Sequence, residues 1–485
     1  MNDGAHPRRW LVLGLCCSAL FVVSMDNTVL NVALPGIRRD LHASVEQLQW
    51  VVDAYVLVLA SFLMLAGAVA DRVGRRRLLR VGLALFTAGS ALCSVASDLH
   101  WLVAFRMLQA VGGAMLNPVA MSILTVTFTD PGERARAIGW WGAVAGVSMT
   151  AGPVVGGALV EAAGWRAVFL VNLPVGIAAW LLTGRWVPES RAAVPRRLDP
   201  AGQILVVVLL ASTTYALIDF TALGSTEAAV LGCAAVAVSA LGALLVVESR
   251  RAEPLVELSL FRSRPFVGAN ITAVCAFAAL YGFLFTTTIY LQVQQGLSAL
   301  QAGLALVPMA AMGLVCAPVS GRMLAARGAM APLLVSGTTM TASGLLLAVG
   351  NAEASVVERC VAFVLFGIGF GFVNAPVTHT AVSGLPHARA GVAAAFAATS
   401  RQVGSMLGVA ITGTAVANGS LTTAWSIVAL FCATSLAAGL IGSAHSSHKT
   451  RFRRPGLGLH TRVRHSMVGG RIAVDVSEDI DEGAG

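Results

Sequence analysis

The chain has 485 residues, of which 56% are hydrophobic and 12% are charged, and its formal net charge at pH 7 is +9. So few charged side chains cannot cover the surface of a soluble domain of this length, which excludes the soluble classes. The basic residues lie in short loops between long apolar runs, so the positive charge indicates membrane topology and argues against nucleic acid as a partner.

Fourteen apolar runs are each long enough to cross a bilayer, and each must be a helix because lipid offers no partners to an open strand. They cover residues 10–34, 49–70, 78–97, 99–121, 137–161, 166–187, 200–220, 226–247, 266–290, 302–324, 331–350, 357–378, 391–416 and 424–443. The sequence therefore predicts an all-α polytopic membrane protein.

The arginines of the loops predict how the chain is oriented. One alternate set of loops carries nearly all of them, including the cluster Arg72–Arg80, and the other set carries only Arg38, Arg39, Arg166 and Arg359. By the positive-inside rule the Arg-rich set is cytoplasmic. An even number of spans then places both termini in the cytoplasm of a multi-pass protein of the cell (cytoplasmic) membrane, with the lipid bilayer as a partner.

Two parts of the chain share a spacing of glycines. Gly67 and Gly74 are seven residues apart, as are Gly321 and Gly328, and both pairs lie at basic turns. Internal repeats of this kind build many transporters. We expect an N-terminal six-helix half at 1–190, a linker with two inserted spanning helices at 191–255, a C-terminal six-helix half at 256–445, and a cytoplasmic tail at 446–485 that is disordered because of its polar composition.

The stretch from Gly67 to Arg77, GAVADRVGRRR, places five charges within seven residues. Topology explains the arginines, as a basic turn that stays in the cytoplasm. It does not explain Asp71, because acidic residues contribute little to orientation. An acid at this helix end can bond nearby Arg side chains and the exposed N–H groups of a helix start. A pure topology signal and a bonding role for Asp71 both stay open.

Two charged residues lie inside apolar runs of the first half. The first span starts at the cytoplasmic side, and Asp26 lies about 23 Å along it at about 1.5 Å per residue, in the outer third of the membrane. The fourth span starts at the outside, and Arg106 lies about 10 Å along it, so the two depths agree. A buried carboxylate there costs about 2.5–3.5 kcal/mol on insertion scales. We expect Asp26 and Arg106 to approach each other across a cavity, with protonation of Asp26 loosening the pair. The alternative is a static ion pair that holds the first half together.

Other polar residues are candidates for the proton pathway or for a substrate cavity. Asp53 is either a second proton-coupling site or a solvated residue at the edge of its span. Arg401 lies near the middle of the thirteenth span and has no evident partner. The residues that could line a cavity are Asn27, Asn31, Tyr55, Gln109 and Arg401.

Several motifs in order resemble one family of membrane proteins. GAVADRVGRRRLL resembles the loop between helices 2 and 3 of the major facilitator superfamily, and MDNTVLNVALP resembles the first-helix motif of its drug:proton antiporters with fourteen spanning helices. RMLQAVGGA is similar to the fourth-helix motif, with Ala110 in place of a glycine. The helix-5 antiporter motif is matched by Gly139, Gly152, Pro153, Gly156 and Gly157, with Ser148 in place of another glycine. The resemblance covers residues 10–443 and implies the major facilitator fold of two six-helix halves plus two inserted helices.

The resemblance also implies roles for two of these motifs. It implies a conformational latch between the halves in the outward-facing state, formed by Gly67, Asp71, Arg72, Gly74 and Arg75. In the fifth span, the Gly152-x-x-x-Gly156 spacing makes a smooth groove and Pro153 can bend the helix. Ordinary close packing and a leak-proof seam between the halves both stay open for this groove.

The sequence thus predicts a proton-coupled antiporter that exports lipophilic drugs or antibiotics by alternating access and confers resistance. The proton gradient is its energy source, and we expect no enzyme activity, no cofactor, no metal site and a monomer. An ATP-driven pump needs GxxxxGK[ST], but the single lysine, Lys449, follows His448, so ATP is not a partner. A proton-coupled uptake symporter and a dedicated exporter of one endogenous metabolite are the alternatives. A scaffold or receptor would leave Asp26, Arg106 and Arg401 without an energetic justification.

Overall fold

The computed structural model describes residues 8–192, 199–219, 227–251, 257–350, 355–383, 385, 387–451, 465–468 and 471–474. The first half contains α1 (Arg9–Asp40), α2 (Val45–Val73), α3 (Arg75–Ser94), α4 (Leu99–Thr127), α5 (Pro131–Ala163), α6 (Ala167–Leu170) and α7 (Asn172–Trp186). The inserted pair is α8 (Pro200–Asp219) and α9 (Glu227–Arg250). The second half contains α10 (Arg264–Ile289), α11 (Ala299–Ala305), α12 (Val307–Arg327), α13 (Met330–Gly350), α14 (Val356–Val382), α15 (His387–Ala417) and α16 (Leu421–Arg451). A 3-10 turn at Leu258–Arg262 precedes α10, and a π-helical turn at Tyr290–Gln294 follows it.

The helices confirm the predicted all-α membrane class, while the count of fourteen spans is not confirmed. Among the described residues, twelve helices are long and apolar enough to cross a membrane, or thirteen if the two parts of α5, bent by 40°, are one span. The remaining predicted span coincides with α15, which does not reach that apolarity because Arg401 and Gln402 interrupt it. Helices are expected in a lipid bilayer because each helix satisfies its backbone N–H and C=O groups internally.

Polar side chains fix where several helices begin. The hydroxyls of Ser44, Ser298 and Ser355 each accept a hydrogen bond from the backbone N–H three residues further on. The side chain of that later residue, a Gln or a Glu, accepts in turn from the backbone N–H of the serine. Asp98 and Asp130 cap α4 and α5, with Asp130 Oδ1 2.8 Å from the N–H of residue 133. The first N–H groups of a helix have no partner within it, so these caps stop the helices from starting elsewhere.

The bundle has two distinguishable ends. We call the end with the α2–α3 turn and its arginines the basic end, and the end with the α1–α2 turn the opposite end. Contacts of α5 with α11 and of α2 with α15 join the two halves. At the opposite end Gln292, in the π-helical turn, also donates to the carbonyl of Val32 in α1, at 3.0 Å. The halves therefore touch near the opposite end through the backbone as well as through side chains.

The inserted helix α8 contacts both halves. Gln203 Nε2 donates to the carbonyl of Ser61 in α2 at 2.6 Å, and Thr414 Oγ1 of α15 donates to the carbonyl of Leu217 at 3.3 Å. The second inserted helix, α9, packs on α8, and only 11% of its apolar stretch is buried inside the protein. The insert therefore lies beside the α2–α15 contact, with α9 as its outer layer.

The predicted tail contains some regular structure. The strands β1 (His465–Val468) and β2 (Arg471–Val474) pair in antiparallel register, with His465 opposite Val474. The disorder predicted for the tail at 446–485 stays a prediction. Most other residues of the tail, and residues 193–198 of the predicted linker, lie outside the described residues.

Candidate functional site

The charged residues of the first half form a buried hydrogen-bonded group, which we call the Asp26 cluster: Asp26, Ser90, Arg106, Gln109 and Asn172. Asp26 Oδ2 lies 2.6 Å from Arg106 Nη1, and Oδ1 accepts from Gln109 Nε2 at 2.9 Å and from Asn172 Nδ2 at 3.0 Å. Both amide groups also donate to the hydroxyl of Ser90. Asp26 is 2% exposed and Arg106 1%. The predicted approach of these two charges is confirmed.

The helical spacing of α4 explains how Arg106 is held. Gln109 is three residues further along the helix and accepts from Arg106 Nη1 at 2.7 Å. Arg106 Nε donates to the carbonyl of Val51 in α2 at 3.4 Å. The guanidinium lies over the ring of Tyr55, 4.0 Å from its centroid, which adds a cation–π contact. Arg106 therefore links α4 with α1 and α2, all within the first half.

The residues predicted to line a cavity do not all do so. Gln109, within the Asp26 cluster, and Tyr55, packed against it, are completely buried, so they line no open space here. Asn31 is 1% exposed and donates to the carbonyl of Asn27 one turn earlier, at 3.1 Å. In this arrangement these three side chains line no open space, because Gln109 is bonded inside the cluster, Tyr55 packs on Arg106 and Asn31 bonds within α1, so their part in a cavity stays a prediction. Asn27 is half-buried and stays a candidate.

Asp53 is a buried acid whose side chain is 0% exposed. Within the part of the chain that the structure describes, neither of its carboxylate oxygens has a hydrogen-bond partner. The alternative of a solvated residue at the edge of its span is therefore wrong. Its contrast with Asp26, whose two oxygens accept three bonds, is the clearest chemical difference between the buried acids of the first half.

Arg401 lies in the middle of α15, half-buried, with its guanidinium 6.0 Å from the ring centroid of Phe277 in α10. Among the described residues no carboxylate lies within ion-pair distance of it. A cation that faces an aromatic ring without an acid suits contact with an electron-rich or neutral lipophilic group. Arg401 remains a candidate cavity residue.

The turn between α2 and α3 is held by bonds within the first half. Asp71 Oδ1 pairs with Arg75 Nη2 at 3.0 Å. The N–H of Arg76, at the start of α3, donates to Glu189 Oε1 at 3.1 Å. Gly74 has φ +117°, and a Cβ there would lie 2.6 Å from the same oxygen, so only glycine fits. Asp71 thus bonds an arginine as predicted, but Glu189, beyond α7, satisfies the helix start.

The other predicted latch residues surround this turn. Arg72 is exposed in the last turn of α2, and Gly67 has open space beside its Cα. Arg76 and Arg77 each place Nε 3.7 Å from Glu189 Oε2. The ion pairs recorded here join residues of one half, so a latch between the halves stays a prediction for a different conformation.

The glycines of α5 face two different helices. Gly152 packs on Thr28 and Gly156 on Val29, so the predicted groove receives α1 of the same half. A Cβ on Gly157 would lie 2.5 Å from the carbonyl oxygen of Ala299 in α11, and the carbonyl of Pro153 approaches Gly303 of α11. The close seam between the halves is therefore made by the Pro153 and Gly157 side of α5. Gly139 has no neighbour within 4 Å of its Cβ position.

Comparison with known proteins decides the family. Residues 16–409 match the family model described as Major Facilitator Superfamily. The chain belongs to the major facilitator superfamily. It is 36% identical over 418 residues to the tetracenomycin C resistance and export protein of Streptomyces glaucescens, covering 86% of this chain and 77% of that protein. It is 35% identical over 398 residues to the multidrug resistance protein Stp of Mycobacterium tuberculosis, covering 82% of this chain and 74% of that protein.

A solved structure shows the same fold. A bacterial homolog of the human lysosomal transporter Spinster superposes with a TM-score of 0.62 at 18% identity, covering 92% of this chain and 98% of that chain. This major facilitator is therefore a multi-span membrane transporter and not an enzyme. Transporters of this superfamily move a small molecule past rearranging helices.

Sequence reasoning missed the neutral and distant members of these sites. Ser90 and Asn172 belong to the Asp26 cluster, and Glu189 to the α2–α3 turn. Between the halves, Gln49 of α2 donates to the carbonyl of Val409 in α15, and Glu161 of α5 accepts from the hydroxyl of Ser298 before α11. Asn172 and Gln49 could have been found as amides within apolar runs, since such groups need partners. Glu189 directly follows a predicted span, where polar residues are common, so nothing in the sequence marks it as a partner of the α2–α3 turn.

Proposed function

We propose that this major facilitator is a proton-coupled antiporter that exports lipophilic drugs or antibiotics across the cell membrane and confers resistance. The observation that carries the proposal is its similarity, over 86% of the chain, to a protein named for tetracenomycin C resistance and export. Both termini and the basic end are cytoplasmic in this account, because the arginines concentrate there.

The seam supports alternating access between the halves. In the arrangement described, α5 meets α11 through Pro153 and Gly157, and Gln49 of α2 donates to the carbonyls of Val409 and Ala410 in α15. These contacts lie toward the opposite end and close it. Transport requires them to separate while the basic end closes, and the predicted latch around Asp71 and Arg75 would form in that second state.

The buried acids support coupling to protons. Asp26 and Asp53 lie inside spans where a carboxylate is costly, so a function for them is expected. No cofactor is needed in this proposal, because a proton that moves down its gradient supplies the free energy. Arg401 and Asn27 are the half-buried polar residues that we place nearest the substrate.

A dedicated exporter of one metabolite is the second candidate. It is favoured because one of the similar proteins is named for a single antibiotic, tetracenomycin C, while another is named for multidrug resistance. The two candidates differ only in the breadth of compounds that the cavity accepts.

Expression in a drug-sensitive bacterium that lacks its own major exporters tests the proposal. We expect higher resistance to several lipophilic antibiotics and faster efflux of preloaded ethidium, both abolished when a protonophore collapses the proton gradient. Efflux that survives the protonophore and stops on ATP depletion would contradict it. Resistance to one compound class alone would select the dedicated exporter.

A further inference from the structure

The face of α2 that carries Asp53 lies on the contact between the halves. Gln49 is one helical turn before Asp53, on the same side of α2. Its Nε2 donates to the carbonyl oxygens of Val409 at 3.1 Å and Ala410 at 2.8 Å, both in α15 of the second half. The side chain of Gln49 also fills the space beside Gly413. Asp53 therefore sits where α2 of one half packs against α15 of the other.

At this position no described residue bonds the carboxyl group of Asp53. Both of its oxygens are buried without a hydrogen-bond partner among the described residues, and the side chain is 0% exposed. An isolated carboxylate in such a place is so costly that the group binds a proton instead. The neutral acid is therefore the form that fits this closed seam.

The charged and titratable groups on the surrounding helices are otherwise engaged or out of bonding range. Arg106 of α4 is bonded to Asp26 of α1. Tyr55 of α2 lies under that guanidinium, and Tyr215 of α8 lies beside Trp50. Arg401 is the cation of α15 whose side chain the structure describes. Gln49 bonds the carbonyl of Val409, so these two residues lie at about the same level. Toward the basic end, Arg401 is eight residues from Val409 and Asp53 is four residues from Gln49, so Arg401 lies about 6 Å nearer the basic end than Asp53.

Asp26 presents the reverse situation. Its partners at both oxygens are donors, namely Arg106, Gln109 and Asn172. Gln109 Oε1 is already occupied by Arg106 Nη1, and the buried guanidinium 2.6 Å from Asp26 Oδ2 favours a negative charge there, so the ionised form fits the cluster. All of these partners belong to the first half, and a rearrangement between halves leaves them together.

We propose that Asp53, and not Asp26, carries the exchanged proton, and that Asp26 is a positioning residue that stays ionised. This inference rests on the proposed proton-coupled function and assigns its proton. Water at the opposite end protonates the Asp53 carboxylate when the seam is open. The neutral acid then permits α2 and α15 to close. The proton leaves to water on the basic side, and the restored carboxylate favours reopening of the seam.

Infrared difference spectroscopy of the full-length protein in nanodiscs at neutral pH tests the assignment without any substrate. A protonated carboxylic acid has a C=O stretch that a carboxylate lacks. We expect one such component to be lost in Asp53→Asn and retained in Asp26→Asn, while Asp53→Glu shifts its frequency. Loss in Asp26→Asn instead, or no loss in Asp53→Asn, would overturn the proposal. Because no drug is present, absence of drug transport does not affect this result.

Hydrogen exchange measured by mass spectrometry tests the coupling to the seam. Peptides at the start of α2, in α11 and at the end of α15 are compared between wild type and Asp53→Asn at the same pH, so the intrinsic pH dependence cancels. We expect equal exchange at acid pH and faster exchange of wild type at alkaline pH, at least severalfold, because only wild type ionises there. Equal exchange at every pH would overturn the link between Asp53 and opening. Gln49→Ala should raise exchange of the same peptides at all pH values.

Discussion

Breaking the Asp26 cluster should destabilise the first half strongly. Asp26 Oδ2 and Arg106 Nη1 are 2.6 Å apart, and both side chains are at most 2% exposed. Removing one partner of such a pair leaves the other charge buried, which costs about 3–5 kcal/mol. Arg106→Leu strands the carboxylate with two amide donors, Gln109 and Asn172. We expect each single variant, Arg106→Leu or Asp26→Asn, to lose several kcal/mol in free energy of unfolding.

A double-mutant cycle separates the pair from its surroundings. The double variant Asp26→Asn/Arg106→Leu buries no net charge, so its loss should fall short of the sum of the singles by about 1–3 kcal/mol. Unfolding in mixed detergent micelles, followed by tryptophan fluorescence, gives the four free energies. The matched control is Asp40 with Arg166, 3.8 Å apart and 55% and 42% exposed, where loss of the pair should cost about 0–1 kcal/mol. Additive losses of under about 1 kcal/mol at Asp26 and Arg106 would refute the reasoning.

Three further predictions concern the seam and the ends of the bundle. Gly157→Val should hinder closure against α11 and slow transport, whereas Gly139→Val, with open space around it, should not; labelling of the opposite end by a membrane-impermeant reagent measures this. Glu189→Gln should raise hydrogen exchange at the start of α3, because the N–H of Arg76 loses a charged acceptor, and unchanged exchange would count against the cap. The N–H of Trp101 lowers the pKa of Asp98, so the stabilisation from this cap is complete above the ordinary aspartate pKa and is lost as pH falls through the lowered value. The melting temperatures of wild type and Asp98→Ala should therefore converge at acid pH, and a constant difference would contradict the assignment.

Charge and depth predicted the centre of the site, but not its neutral members. Asp26 and Arg106 are exceptional in apolar runs, and counting 1.5 Å per residue places them at the same level. Gln109 and Asn172 complete the cluster, yet an amide in an apolar run is a weaker anomaly than a charge. The sequence therefore indicates a pair, whereas the structure has a network in which three donors bond the two oxygens of that pair's carboxylate.

Helical spacing predicts which residues share a face but not which helix covers that face. Gly152 and Gly156 do form a groove, as the spacing indicates, but α1 fills it from within the first half. The residue beside it, Gly157, faces α11 and makes the seam. A similar limit applies to Asp53, because its burial depends on how closely α2 packs on α15, and one helix alone cannot reveal that.

Counter-movement of protons and a lipophilic dye tests proton-coupled export most directly. Purified protein is reconstituted in liposomes with an acidic lumen that contains a pH indicator, and ethidium is added outside, with protein-free liposomes as the control. We expect ethidium to accumulate while protons leave, so the dye accelerates alkalinisation of the lumen and a protonophore stops the accumulation. Movement of protons and dye in the same direction, or equilibration of the dye without any proton response, would contradict it.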